Sequence, residues 1–108
     1  MTPVQLVQGQ LDAYNARDID TFCTFFADSI EVYDGLTQEM LFTGMEAFRA
    51  RYTKTFSNPN LHCHLLNRIE QDQVVIDHEE VTGMSEDVVY AIAVYQISEN
   101  IIQKVTFY

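Results

Sequence analysis

From Leu61 to the C terminus the chain falls into four runs patterned as β-strands: Leu61 to Glu70, Val74 to Thr82, Val88 to Ile97, and Ile101 to Tyr108. The connections between them are short. Strands joined this closely pair antiparallel, so the C-terminal part of the chain is committed to a meandering sheet that must bury one face. Upstream the period changes to that of a helix. Pro3 suits a first helical turn with Thr2 as N-cap, and Val4, Val7, Leu11 and Tyr14 then recur on one face, predicting a helix to about Asn15. Asp18 or Asp20 can cap a second helix carrying Phe22, Phe25 and Phe26, closed by Ala27-Asp28-Ser29. Ile30 to Asp34 alternates as a short strand ending at the Gly35 turn, and Leu41-Phe42 offers another before Gly44. Met45, Phe48, Tyr52 and Phe56 mark one face of a third helix, which Ser57-Asn58-Pro59-Asn60 stops. Helices first and strands last predict an α+β fold, with three N-terminal helices packed on one face of a curved, mainly antiparallel sheet. A length of 108 residues suits one domain spanning 1–108.

The run Val74 to Thr82 bears most directly on function. Its alternation puts Val74, Ile76, His78, Glu80 and Thr82 on one face. If that face lines a closed interior, His78 and Glu80 are either a hydrogen-bonded buried pair or part of a ligand site, because an unpaired buried polar group costs about 1–3 kcal/mol. A two-residue hairpin loop at Gln71-Asp72 sets this register, with Leu65 opposite His78 and Cys63 opposite Glu80. His62, His64, Arg68, Glu70, Asp77 and Glu79 then fall on a wet exterior, and a slip of one residue reverses the two faces. Period 2 also separates Cys63 from His62 and His64, so the His-Cys-His run is a weak metal site and no metal is expected.

Charge removes whole classes of partner. Sixteen acidic against six basic residues give a formal charge of -10, which argues against nucleic acid and anionic membranes. No apolar run approaches the roughly 20 residues needed to span a bilayer. Two cysteines, Cys23 and Cys63, and no basic-then-apolar leader point to a reduced, cytoplasmic protein. No glycine-rich phosphate loop, nucleophile elbow or paired-cysteine motif occurs, and no cofactor is expected.

The stretch N-A-R-D-I-D-T-F-C-T-F-F-A-D-S-I-E-V-Y-D, Asn15 to Asp34, resembles the opening signature of the nuclear transport factor 2-like superfamily, which holds the ketosteroid isomerases and the SnoaL-like polyketide cyclases. G-M-E-A-F-R-A-R-Y, Gly44 to Tyr52, and the four terminal strands match in order, so the resemblance covers nearly the whole chain. It implies a cone-shaped α+β barrel with a pocket inside. It also implies that Asp34 falls where the isomerases keep their general-base aspartate. Their oxyanion-hole tyrosine would fall at Gln10 and their protonated aspartic acid at Ala93, so both electrophilic partners are missing. A substitute is His78, with room left for its imidazole by Ala93 on the next strand, together with Tyr14 one turn after Gln10.

Two functions fit these residues. One is a cofactor-independent enzyme of the isomerase, cyclase or dehydratase kind, moving a proton on a small apolar carbonyl compound. In it Asp34 is the base, His78 and Glu80 an acid/base or orienting pair, and Tyr14, Phe48, Tyr52 and Tyr95 the substrate-binding walls. The alternative is a non-catalytic binding or dimerisation module whose cone holds a hydrophobic small molecule or is filled by side chains. Val88, Tyr90, Ile92 and Val94 make the opposite face of their strand apolar as well, which predicts a homodimer through the outer sheet face, as in many relatives of this fold.

Overall fold

The computed structural model describes residues 1–108. Helix α1 (Pro3–Ala16) begins as its local chemistry dictates. The Gln5 N–H donates to the Thr2 hydroxyl at 3.1 Å, and the Thr2 N–H donates back to Gln5 Oε1 at 2.9 Å, a reciprocal capping box. Arg17 ends the helix in the left-handed region, and Asp18 then caps α2 (Ile19–Cys23) by accepting from the Thr21 N–H. Here local pattern and structure part. The aromatic run predicted a helix through Phe26, yet Phe26 already opens β1 (Phe26–Asp34), and Ala27-Asp28-Ser29 lie within that strand. The cause is a distant partner, since Phe26 pairs parallel with Ile102 and the Ile102 N–H donates to the Phe25 carbonyl at 3.1 Å.

The remaining elements follow the expected order. Strand β2 (Met40–Thr43) leads through Gly44 into α3 (Met45–Thr55), and then come β3 (His62–Gln71), β4 (Val74–Thr82), β5 (Val89–Ser98) and β6 (Ile101–Phe107). The sheet order is β2-β1-β6-β5-β4-β3, antiparallel throughout except for the β1–β6 pair. The three helices pack on the concave face of this curved, unclosed sheet, giving the expected cone. Gly83, at φ +86, brings the β4–β5 connection against the backbone of Asn60, where any Cβ would collide. No helix is long and apolar enough to cross a membrane.

Between helices and sheet, Phe22 stacks on Phe48 with centroids 5.6 Å apart, and Phe26 packs on Phe48 at 4.5 Å. Tyr14, Tyr52 and Phe56 extend this aromatic cluster toward β3 and β4. A polar clamp ties α1 to the edge strand. The Asn15 side-chain amide donates to the Cys63 carbonyl at 2.9 Å and accepts from the Cys63 N–H at 2.8 Å, while Arg17 donates to the Leu61 carbonyl. Asn15 thus supplies the backbone partner that an edge strand lacks. Asn15→Ala is expected to cost about 1–3 kcal/mol and to accelerate hydrogen exchange at the Cys63 amide. Unchanged protection at that amide would show that the clamp is idle.

The β3–β4 hairpin loop lies one residue later than expected, which moves each cross-strand partner by two positions and leaves Arg68 on the same face as Asp77. Gln71 pairs with Val74, so the loop is Asp72-Gln73, with Asp72 taking the left-handed conformation that aspartate tolerates better than most residues. A bulge at Leu66 then shifts the pairing again, to Leu65 opposite Glu79. The face of β4 that is buried is nevertheless the opposite of the one expected. Val75, Asp77, Glu79 and Val81 point inward, whereas His78 is exposed and Glu80 half-buried on the outer side. On the inward side Arg68 lies opposite Asp77, so the buried carboxylate has a cation.

Candidate functional site

The cone encloses a cavity of about 360 Å³, within the size range of small-molecule pockets. Its walls are mostly apolar, and its only charged side chains are Glu79 and Arg51. Glu79 reaches it from the inner face of β4 and is only 6% exposed. Burial, and next the neighbouring Asp77 carboxylate, push the Glu79 carboxyl from the ordinary 4.5 up to about 7. A hydrogen bond with the Cys63 thiol and the more distant Arg68 guanidinium pull the other way. The result is a carboxyl group half ionised near neutrality.

Three phenols share the cavity with it. Tyr14 comes from α1, Tyr52 from α3 and Tyr95 from β5. Burial, with the Glu79 charge as a further cause, raises each of them, so all three remain protonated donors at neutral pH. Gln10 Nε2 donates both to the Val7 carbonyl at 2.9 Å and to the Tyr95 hydroxyl at 3.2 Å. The Tyr95 oxygen therefore acts as an acceptor toward α1, and its own proton is left to give.

Behind Glu79 lies a buried ion pair. Arg68 Nε and Nη2 donate to the two Asp77 carboxylate oxygens at 2.7 and 2.9 Å, and Nη1 donates to Gln8 Oε1 at 2.8 Å. Asp77 is wholly buried. The bidentate fork holds the Asp77 charge two residues from Glu79 on the same face of the strand.

The expected site residues divide. Tyr14, Tyr52 and Tyr95 line the cavity, whereas Phe48 lies outside its lining as buried filler in the aromatic stack. Asp34 ends β1 outside the lining as well, and its Oδ1 accepts the Leu36 and Thr37 N–H groups at 2.8 and 3.2 Å. That is the turn chemistry of an Asp-Gly strand end. The inward orientation expected of His78 and Glu80 is overturned, since the opposite face of β4 is the buried one. His78 pairs with Ile92 rather than Ala93, and the space beside Ala93 belongs to Asp77. His62 and His64 do lie together on the outer face, with ring centroids 4.3 Å apart. Gln10, the position matched to the oxyanion tyrosine, does line the cavity.

Sequence reasoning missed Glu79, and Asp77 behind it. The signal that could have found them is Arg68, the one basic residue in the four terminal runs besides Lys104. Glu79 shares the buried face of β4 with Asp77, the residue opposite Arg68.

The sequence profile of the SnoaL-like domain matches residues 7–103. No curated protein sequence matches the chain. Among solved structures, an uncharacterized cystatin-fold protein from Novosphingobium aromaticivorans is 22% identical with a TM-score of 0.89, over 100% of this chain and 98% of that one. A SnoaL-like protein of unknown function from Burkholderia thailandensis is 19% identical with a TM-score of 0.81, over 98% and 92%. A protein with a ketosteroid isomerase-like fold from Catenulispora acidiphila, solved in complex with trimethylamine, is 17% identical with a TM-score of 0.79, over 100% and 86%. At these identities the likeness is one of fold.

Proposed function

We propose that this chain, which belongs to the SnoaL-like domain family, binds a small, largely apolar carbonyl compound in its cone and moves a proton on it, with Glu79 as the base in place of Asp34. The observation that carries this reading is the Glu79 carboxyl, held near 7 inside an apolar cavity and faced by phenols. Asp34 is committed to its turn.

In the proposed reaction the Glu79 carboxylate takes a proton from the carbon next to the carbonyl. The electron pair of that C–H bond moves into the new C=C bond, and negative charge gathers on the carbonyl oxygen. A phenol of Tyr14 or Tyr95 stabilises it by hydrogen bonding. Return of the proton from Glu79 to a different carbon completes an isomerisation. Attack of the enolate on a second carbonyl of the same compound, with the Glu79 proton passing to the alkoxide formed, gives a cyclisation, and departure of a β-hydroxyl that takes the Glu79 proton gives water and a dehydration. No redox equivalent enters any of these.

Carboxyl-carbon NMR of glutamate-labelled protein tests the base. One resonance is expected to titrate near pH 7 and to vanish in Glu79→Gln. A Glu79 resonance titrating at the ordinary 4.5 would sink the proton-transfer reading and leave a passive ligand-binding domain, the second reading that the mainly apolar walls favour.

The outer sheet face completes the proposal. Ile69 and Tyr90 are 65% and 60% exposed there, with Ile92 and Leu66 also exposed, and a second copy of the chain would cover them. Sedimentation should give a dimer that Ile92→Glu converts to monomer, and a monomeric wild type would remove this part of the reading.

A further inference from the structure

Arg51 is the one basic residue of this acidic chain that lines the cavity. Arg68 pairs with Asp77, Arg49 with Asp20, and Arg17 donates to the Leu61 carbonyl. Lys104 sits 4.4 Å over the Tyr33 ring, and Lys54 lies in the last turn of α3, where a cation complements the helix dipole. Arg51, like Arg17, Lys54 and Lys104, has no carboxylate partner. Its guanidinium carbon lies 5.5 Å from the centre of the Phe42 ring, and both side chains belong to the cavity wall. Tyr52 and Thr55, its neighbours on α3, also line the cavity, and the Thr55 hydroxyl donates to the Arg51 carbonyl. The cavity thus has two charged lining groups of opposite kind: the buried Glu79 and the solvent-exposed Arg51.

We infer that the ligand of this cavity is an apolar monoanion, whose carboxylate rests on the Arg51 guanidinium at the mouth while its uncharged, reacting end lies inward beside Glu79. This rests on the cavity being a ligand site, as proposed above, and adds the class of compound that it takes. A guanidinium is suited to a carboxylate because its planar fork can give two parallel N–H bonds to the two oxygens. Stacking on Phe42 restricts the guanidinium beforehand, so less freedom is lost on binding. The overall charge of -10 opposes an anion at long range. The preference must therefore come from contact with Arg51 itself, which makes that one residue the determinant of specificity.

The test uses naphthalene-2-carboxylate, naphthalene-2-carboxamide and 2-(aminomethyl)naphthalene, which share one apolar body and differ in charge. The chain has no tryptophan, so naphthalene fluorescence reports binding against a low background. Wild type is expected to bind the carboxylate about tenfold more tightly than the amide, the scale of one charge-assisted pair at a partly exposed site. Arg51→Gln should abolish that preference, and Arg51→Lys should keep part of it. Arg51 is exposed, so both variants should melt with the wild type. The inference is overturned if wild type shows no preference for the acid, including binding of none of the three, if it prefers the amine, or if the preference survives in Arg51→Gln. These are binding measurements that need no turnover. A Glu79 titrating at 4.5 would sink the proton-transfer reading and leave this preference standing, and equal binding of acid and amide would do the reverse.

Discussion

Arg68→Ala is expected to destabilise the protein by about 3–5 kcal/mol, because it strands a carboxylate that has no access to water. Asp77 is wholly buried, and Arg68 supplies hydrogen bonds to both of its oxygens. The alanine also releases Gln8 Oε1, which accepts from the same guanidinium and links the pair to α1. One substitution therefore loosens β3, β4 and α1 together. Urea unfolding at neutral pH measures the loss, and a cost below about 1 kcal/mol, typical of a surface site, would show that Asp77 finds another partner or protonates. The double variant Arg68→Met with Asp77→Leu separates an unpaired charge from lost packing. Replacing both ions by apolar groups should restore much of the stability, since the desolvation of a buried pair offsets most of its attraction. Arg68→Ala has a second readout at the site. Arg68 is one of the two groups that hold the Glu79 carboxyl down, so its removal should move the Glu79 titration further up.

The same ion pair explains what could be read in advance. Helix α1 announces itself through Thr2, Pro3 and the Val4, Val7, Leu11 spacing, and α3 through Met45, Phe48 and Tyr52, because caps and apolar spacing are local. β4 runs from Val74 to Thr82 as its alternation predicts. The start of β1 was not legible, since Phe26 is placed by Ile102 of β6 and not by its neighbours. Which face of β4 turns inward was not legible from apolarity either. Val74, Ile76, His78 and Glu80 offer the core as much apolar surface as Val75, Asp77, Glu79 and Val81. Tyr14, Tyr52 and Tyr95 were found because aromatics on core-facing positions line the cavity whichever way β4 turns. Glu79 depended on which face of β4 is buried, and the one mark of the inward side is the cross-strand ion pair of Arg68 with Asp77. Asp34 shows the opposite error. The resemblance lent it a role, and Asp-Gly turn chemistry accounts for its contacts.

Glu79→Gln should stabilise the protein in alkaline solution and leave it nearly unchanged in acid. The Glu79 carboxyl titrates near 7 in the folded chain against an ordinary 4.5, so the folded state holds this proton more tightly than the unfolded state does. Below about pH 4.5 the group is neutral in both states and costs nothing. As pH rises through 7 the unfolded chain has already ionised, and the folded chain must bury the charge. A tenfold change in proton affinity corresponds to about 1.4 kcal/mol, so the full penalty approaches about 3 kcal/mol above pH 7.5. Glutamine keeps the shape without the charge and escapes that penalty. Unfolding free energies of wild type and variant should therefore coincide near pH 4.5 and separate progressively to pH 8, with the variant the more stable. A gap of the same size at both ends would mean that the substitution acts through packing and that Glu79 is not held near neutrality. Stability that grows as a carboxylate is removed, joined to loss of any turnover, is what a base retained for chemistry predicts, since a residue kept for folding alone would show the reverse.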